Sequence, residues 1–216
     1  MDFLNALILL LNYIFVPALA YGSQLAIGAI FVTLIYGILR FANFATGDMM
    51  SFGTMVAILF TWYFQSIGLS LGFLPTALLA IPFAILFMGL YMLIIDKFVF
   101  KYYRLNKSPP VQLAMVSIGV MFVTQAVVRI IIGPSDRRFF DGEKFLIKAN
   151  EFKEMTGLNE GLAIKSTQVI TIVVTIILVS TLFWFLNKTK TGKSMRAYSD
   201  NEDLALLSGI DPKKIV

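Results

Sequence analysis

Arg40-Phe41-Ala42-Asn43-Phe44-Ala45-Thr46-Gly47-Asp48 is a polar, glycine-containing break between stretches apolar enough to lie in a bilayer. Hydrocarbon offers no water to backbone donors and acceptors. An interrupted helix at that depth is therefore tolerated only where it packs in protein or lines a wet cavity. The segment reads in two ways, as part of a transport path or as a tight turn at a membrane face.

Composition supports the membrane setting. The chain has 216 residues, 58% of them hydrophobic, and a mean hydropathy of +0.81, too apolar for an ordinary soluble domain. Cys and His are both absent, which excludes disulfides, thiol nucleophiles, imidazole bases and the usual metal ligands. No metal site is expected. A membrane enzyme would have to work with carboxylates, Lys and hydroxyls, yet Asp48 is the only acid in the first three apolar segments after Asp2. The start, Met1-Asp2-Phe3, has no basic region, so residues 3–20 read as a membrane segment and not as a cleaved signal.

Apolar runs fall at 3–21, 24–39, 50–67, 73–95, 111–132 and 167–186, most of them near the roughly 20 residues that a crossing needs. The expected fold class is all-α, a polytopic transmembrane helical bundle of about six membrane helices. The second run would rise only about 24 Å, so it either extends through Phe41-Ala42 or stops inside the bilayer.

Charge sets the orientation. Residues 96–110 carry Lys97, Lys101, Arg104 and Lys107 against Asp96 alone, and the tail carries Lys188, Lys190, Lys193 and Arg196 before any acid. Both are expected on the cytoplasmic side. The loop 133–166 balances six basic against six acidic residues and is expected outside. Counting back from Asp96 puts residues 66–71 outside, the break towards the cytoplasm, a turn at Tyr21-Gly22-Ser23 outside and the N-terminus inside. The net charge of +5 is thus largely topological, and no nucleic-acid partner is expected.

Gly22, Ser23, Gly28, Gly37 and Gly47 form a small-residue series that suits close helix packing. A short, glycine-interrupted segment is also the usual pointer to a transporter's binding region. Here Asp48 is the expected N-cap of a helix from Met49, whose first amides could orient a polar solute. Arg129 reads as a snorkelling side chain near a helix end. In the tail, residues 192–212 lay out one short helix with an intermittent apolar stripe at Met195, Leu204, Leu207 and Ile210, stopped by Gly209. Taken alone, that helix could rest on anionic lipid.

Together, Gly22-Ser23, Tyr36-Gly37, the break, Asp96 to Arg104, Gly133-Pro134 and the tail resemble the permease subunits of branched-chain amino-acid ABC importers. That family's break reads Asn-Phe-Ala-His-Gly-Glu; here Thr46 replaces the His and Asp48 the Glu. The resemblance spans essentially the whole chain. It implies one ABC-importer permease domain over 1–216, non-enzymatic and multi-pass, in a bacterial inner membrane.

The substrate pathway is expected at Gly22, Ser23, Asn43, Phe44, Thr46, Gly47 and Asp48. ATPase coupling is expected within residues 187–216, at Gly192, Arg196, Ala197, Asn201, Ala205, Gly209 and Ile210. The implied partners are a second, homologous permease subunit, two cytoplasmic ATPase subunits that use ATP-Mg, an extracytoplasmic solute-binding protein and the lipid bilayer. No cofactor is expected in this chain. Urea or short amides are the alternative solutes, and an assembly subunit without its own transport activity is the alternative role. Relatives continue into further membrane helices after the coupling segment, so the domain is expected to be C-terminally incomplete.

Overall fold

The computed structural model describes residues 2–69, 71–72, 74–106, 108–140 and 144–209. Helix α1 runs unbroken through residues 2–39, as Asp2–Leu10, a π turn at Leu11–Phe15, and Val16–Leu39. It is followed by α2 (Thr46–Ser66) and by α3, which comprises Ala77–Ile95, a π turn at Asp96–Phe100, and Lys101–Leu105. Then come α4 (Pro110–Ile132), β1 (Phe145–Ile147), α5 (Ala149–Thr156), β2 (Ile164–Lys165), α6 (Ser166–Lys188), α7 (Lys190–Asp200) and α8 (Glu202–Leu207). The all-α expectation holds, with one small antiparallel ladder, β1 on β2, in the expected outside loop.

One correction concerns the helix count. Residues 3–21 and 24–39 are one helix, so Tyr21-Gly22-Ser23 makes no turn, and the described long helices number five. A glycine inside a helix loses only about 1 kcal/mol relative to Ala. Opening the backbone in hydrocarbon costs more, since each unpaired group forfeits several kcal/mol. Among the described residues, four helices are long and apolar enough to cross a membrane: Phe3–Ile38, Ala77–Leu105, Pro110–Ile132 and Ser166–Lys188. Helix α2 has 21 residues and a more polar sequence.

Contacts divide the chain into two compact units, residues 1–34 with 142–216, and residues 35–141. In the first, Asn12 in the π turn of α1 accepts the Ala163 N–H at 3.3 Å. Gly161 packs onto the Ala149 backbone so closely that a Cβ there would collide with the Ala149 carbonyl oxygen.

In the second unit, α2 packs on α3 and α4. Phe52 stacks on Tyr91 with ring centroids 4.1 Å apart, and Phe60 on Phe83 at 4.7 Å. Thr124, fully buried, donates to the Val120 carbonyl at 2.8 Å, which leaves its oxygen to accept the Tyr91 hydroxyl at 2.8 Å. The core gathers Phe41, Ala45 and Met49 against Ile95 and Phe100 of α3 and Leu113 and Val120 of α4.

Where α2 packs on α3, a Cβ on Gly53 would stand 2.8 Å from the Met88 sulfur. Gly53→Val is expected to destabilise the detergent-solubilised protein by about 1–3 kcal/mol through overpacking, read as a lower unfolding midpoint. Adding Met88→Ala should recover most of the loss, because it empties the space that the valine needs. An unchanged midpoint in Gly53→Val would rule out this contact.

Candidate functional site

The break is a compact turn in which the amides of Arg40, Phe44, Ala45 and Thr46 are paired. Arg40 ends α1 with a left-handed φ of 57°, its N–H donating to the Tyr36 carbonyl at 3.0 Å. For a residue with a Cβ this conformation costs about 1–2 kcal/mol. Phe41, buried, then turns its ring to Phe100 at 6.0 Å, anchoring the start of the turn to α3.

Asn43 organises the next three residues. Its side-chain oxygen accepts the Ala45 N–H at 3.1 Å, and its carbonyl accepts both the Thr46 hydroxyl at 2.9 Å and the Thr46 N–H at 3.4 Å. This is the local side-chain-to-backbone bonding that makes Asn a turn and cap residue.

Helix α2 therefore starts earlier than expected, at Thr46 instead of Met49. Asp48 is not its N-cap but lies in its first turn, where a carboxylate still complements the helix dipole. The Met49 N–H is paired with the Ala45 carbonyl at 2.9 Å. The first-turn donors that lack an acceptor within the helix are then those of Gly47 and Asp48. Gly47 is exposed, with nothing within 4 Å of where its Cβ would be. Phe44 is 54% exposed, whereas Thr46 is buried with its hydroxyl bound to Asn43. Of the expected pathway residues in the break, Phe44, Gly47 and the half-buried Asp48 are thus open to a solute, while Asn43 and Thr46 build the turn.

Gly22 and Ser23 lie inside α1 in the other unit, and the Cβ position of Gly22 is also open. Ser117, which sequence reasoning missed, accepts the Phe44 N–H at 3.0 Å from two turns into α4. A serine in an apolar helix carries no spacing signal towards a turn 73 residues away, so only the tertiary structure reveals it.

The tail forms a corner in place of the single expected helix. Thr189 is extended, and its hydroxyl donates to the Phe185 carbonyl at 2.7 Å and accepts the Gly192 N–H at 3.0 Å, capping α7. Gly192 lies against the last turn of α6, where a Cβ would collide with the Phe185 carbonyl oxygen. Arg196 donates to the Asn187 side-chain oxygen at 2.8 Å, bracing α7 against the end of α6.

Asn201, extended at φ −153°, breaks the chain between α7 and α8 and caps α8 by accepting the Leu204 N–H at 3.1 Å. Its preference for local bonding outweighs the intermittent apolar stripe. Ala205 is buried, Ala197 is exposed, and Gly209 has a φ of 78°. Ile210 lies outside the described residues.

Comparison with known proteins gives a consistent result. Residues 14–216 match the family model for the branched-chain amino acid transport system / permease component. The high-affinity branched-chain amino acid transport system permease protein LivH of Escherichia coli K12 is 25% identical over 199 residues, or 90% of this chain and 61% of the relative. Its Salmonella typhimurium counterpart gives the same identity and coverage. The chain thus spans about three fifths of the length of the curated relatives it matches. No solved structure matches.

The two glycines predict opposite outcomes. Gly192→Ala should strain the corner by about 1–3 kcal/mol and speed tryptic cleavage after Lys188, Lys190 and Lys193. Gly22→Ala should leave that cleavage unchanged. Equal cleavage rates for parent and Gly192→Ala would show that the close approach is not needed for the corner.

Proposed function

The chain belongs to the branched-chain amino acid transport system permease family and is a multi-pass membrane transport protein rather than an enzyme; on that premise we propose that it is a permease subunit of an ATP-driven importer of branched-chain amino acids. The observation that carries this reading is the family match across residues 14–216, which includes both the break and the tail corner. A second permease subunit completes the path, an extracytoplasmic binding protein delivers solute, and two ATPase subunits using ATP-Mg drive it.

The break fits a solute path in one chemical respect. A zwitterion needs compensation for both charges, and an exposed helix start offers amide donors for a carboxylate. The corner fits coupling because two contacts brace α7 against the end of α6. Thr189 and Gly192 lock its entry to α6, and Arg196 holds α7 to Asn187. A rigid element of this kind can pass a rigid-body movement to the membrane helix it is fixed to.

Orientation follows from the same basic residues with one crossing fewer. On the reading that α2 crosses as a fifth span beside the four apolar helices, with the 96–110 connection and the corner in the cytoplasm, the Asp2 end of the unbroken α1 lies outside. An epitope tag before Asp2 should then be protease-accessible in intact cells, whereas protection would remove α2 from the crossings or restore one before the break.

The functional test is uptake by vesicles holding the permease with its full set of partners. ATP-dependent accumulation of leucine over urea is expected. Arg196→Glu and Gly209→Pro are expected to insert normally and hydrolyse ATP while losing most uptake. Urea accumulation would change the solute class, normal uptake by both variants would remove the coupling assignment, and no uptake by the complete system would leave an assembly role.

A further inference from the structure

Ser117 stands two turns into α4 with no exposed surface, on a buried face shared with Leu113, Val120 and Thr124. Hydroxyls in apolar helices ordinarily bond back to a carbonyl one turn earlier, as Thr61 does to Ala57. Ser117 does this too, donating to the Ala114 carbonyl at 2.7 Å. Its remaining acceptor capacity then takes the Phe44 N–H at 3.0 Å.

That amide is the first of three in succession, and the next two close on Asn43 within the turn. The turn is thus built locally from Asn43 and tied at Phe44 to a distant helix. Phe41 and Ala45 add apolar contact in the core that contains Leu113 and Val120, but apolar contact is non-directional. The Ser117 bond fixes the rotation of the peptide between Asn43 and Phe44.

We propose that Ser117 is a positioning residue for transport: it holds the backbone of residues 43–46 on α4, so that turn and helix move as one body through the transport cycle. This rests on reading the break as part of the solute path. A movement that parted the break from α4 would break the part-buried bond between the Phe44 N–H and the fully buried Ser117 hydroxyl, a loss that protein interiors penalise.

The chain has no cysteine, so Ala45→Cys, at a fully buried position of the break, installs a single thiol that a reagent reaches only when the break parts from α4. Its alkylation by a maleimide is followed on this chain by mass spectrometry, in the assembled importer in vesicles. Ser117→Ala should speed alkylation by about two- to tenfold, the range one such hydrogen bond is worth. Ser117→Thr, which keeps the hydroxyl, should keep the slow rate. Thr124→Ala removes a buried hydroxyl from the same helix face that pairs with Tyr91 and not with the break, and should also keep the slow rate.

A parental rate in Ser117→Ala, or an equal acceleration in Thr124→Ala or in assembled Ser117→Thr, overturns the proposal. Without any substitution, the Phe44 amide should exchange with solvent more slowly than that of Gly47, and equal rates overturn it too. A raised KM for solute in Ser117→Ala supports both the positioning role and the break's place in the path. Faster alkylation with an unchanged KM keeps the positioning role and removes the break from the path.

Discussion

Backbone pairing is the constraint on which the rest of the structure depends, because the surroundings of these helices supply neither donors nor acceptors. It explains why α1 runs straight through Gly22-Ser23, where a soluble protein could have turned with water satisfying the freed groups. It also explains the economy of the break. Where the chain does leave the helix, Asn43 and Ser117 between them accept the amides of Phe44, Ala45 and Thr46. The turn is thus tolerated because side chains replace the missing helical acceptors.

Around that turn, packing divides the work between aromatic and small residues. The Phe41–Phe100 contact holds its start, while Gly53 lets α2 come within reach of Met88 on α3. The π turn at Asp96–Phe100 lies where α3 meets this core, and just beyond it Arg104 grips Asp96 through two contacts of 2.6 and 2.9 Å. Such a paired fork is geometrically restrictive, which suits a segment whose Phe100 must stay against the break. The apolar spans themselves are largely unburied by the chain, as expected of surfaces that meet lipid or other subunits.

In the tail, the residues singled out by family resemblance turn out to have local geometric tasks. Gly192 permits a backbone approach, Arg196 spans the corner, Asn201 ends one helix and caps the next, and Gly209 takes a conformation that side chains disfavour. These tasks are compatible with coupling, since a lever must be stiff before it can transmit movement. They also show why a motif alone does not separate a contact residue from one that shapes the contact surface.

Apolar run length and the lack of Cys and His determined from sequence alone that the chain is an all-α membrane protein without thiol or imidazole chemistry. The position of the break was equally legible, because a cluster of polar residues and glycine interrupts a hydrophobic pattern wherever it folds. Three things were not. The unbroken α1 was hidden because Gly-Ser is compatible with both turn and helix, and only the demand for backbone pairing chooses between them. The start of α2 at Thr46 was hidden because capping falls to Asn43, acting from outside the helix. Ser117 was hidden because its partner is an amide 73 residues away. Hydrophobic periodicity records what each residue faces on average. Which individual donor meets which acceptor is decided only when distant segments are brought together in three dimensions.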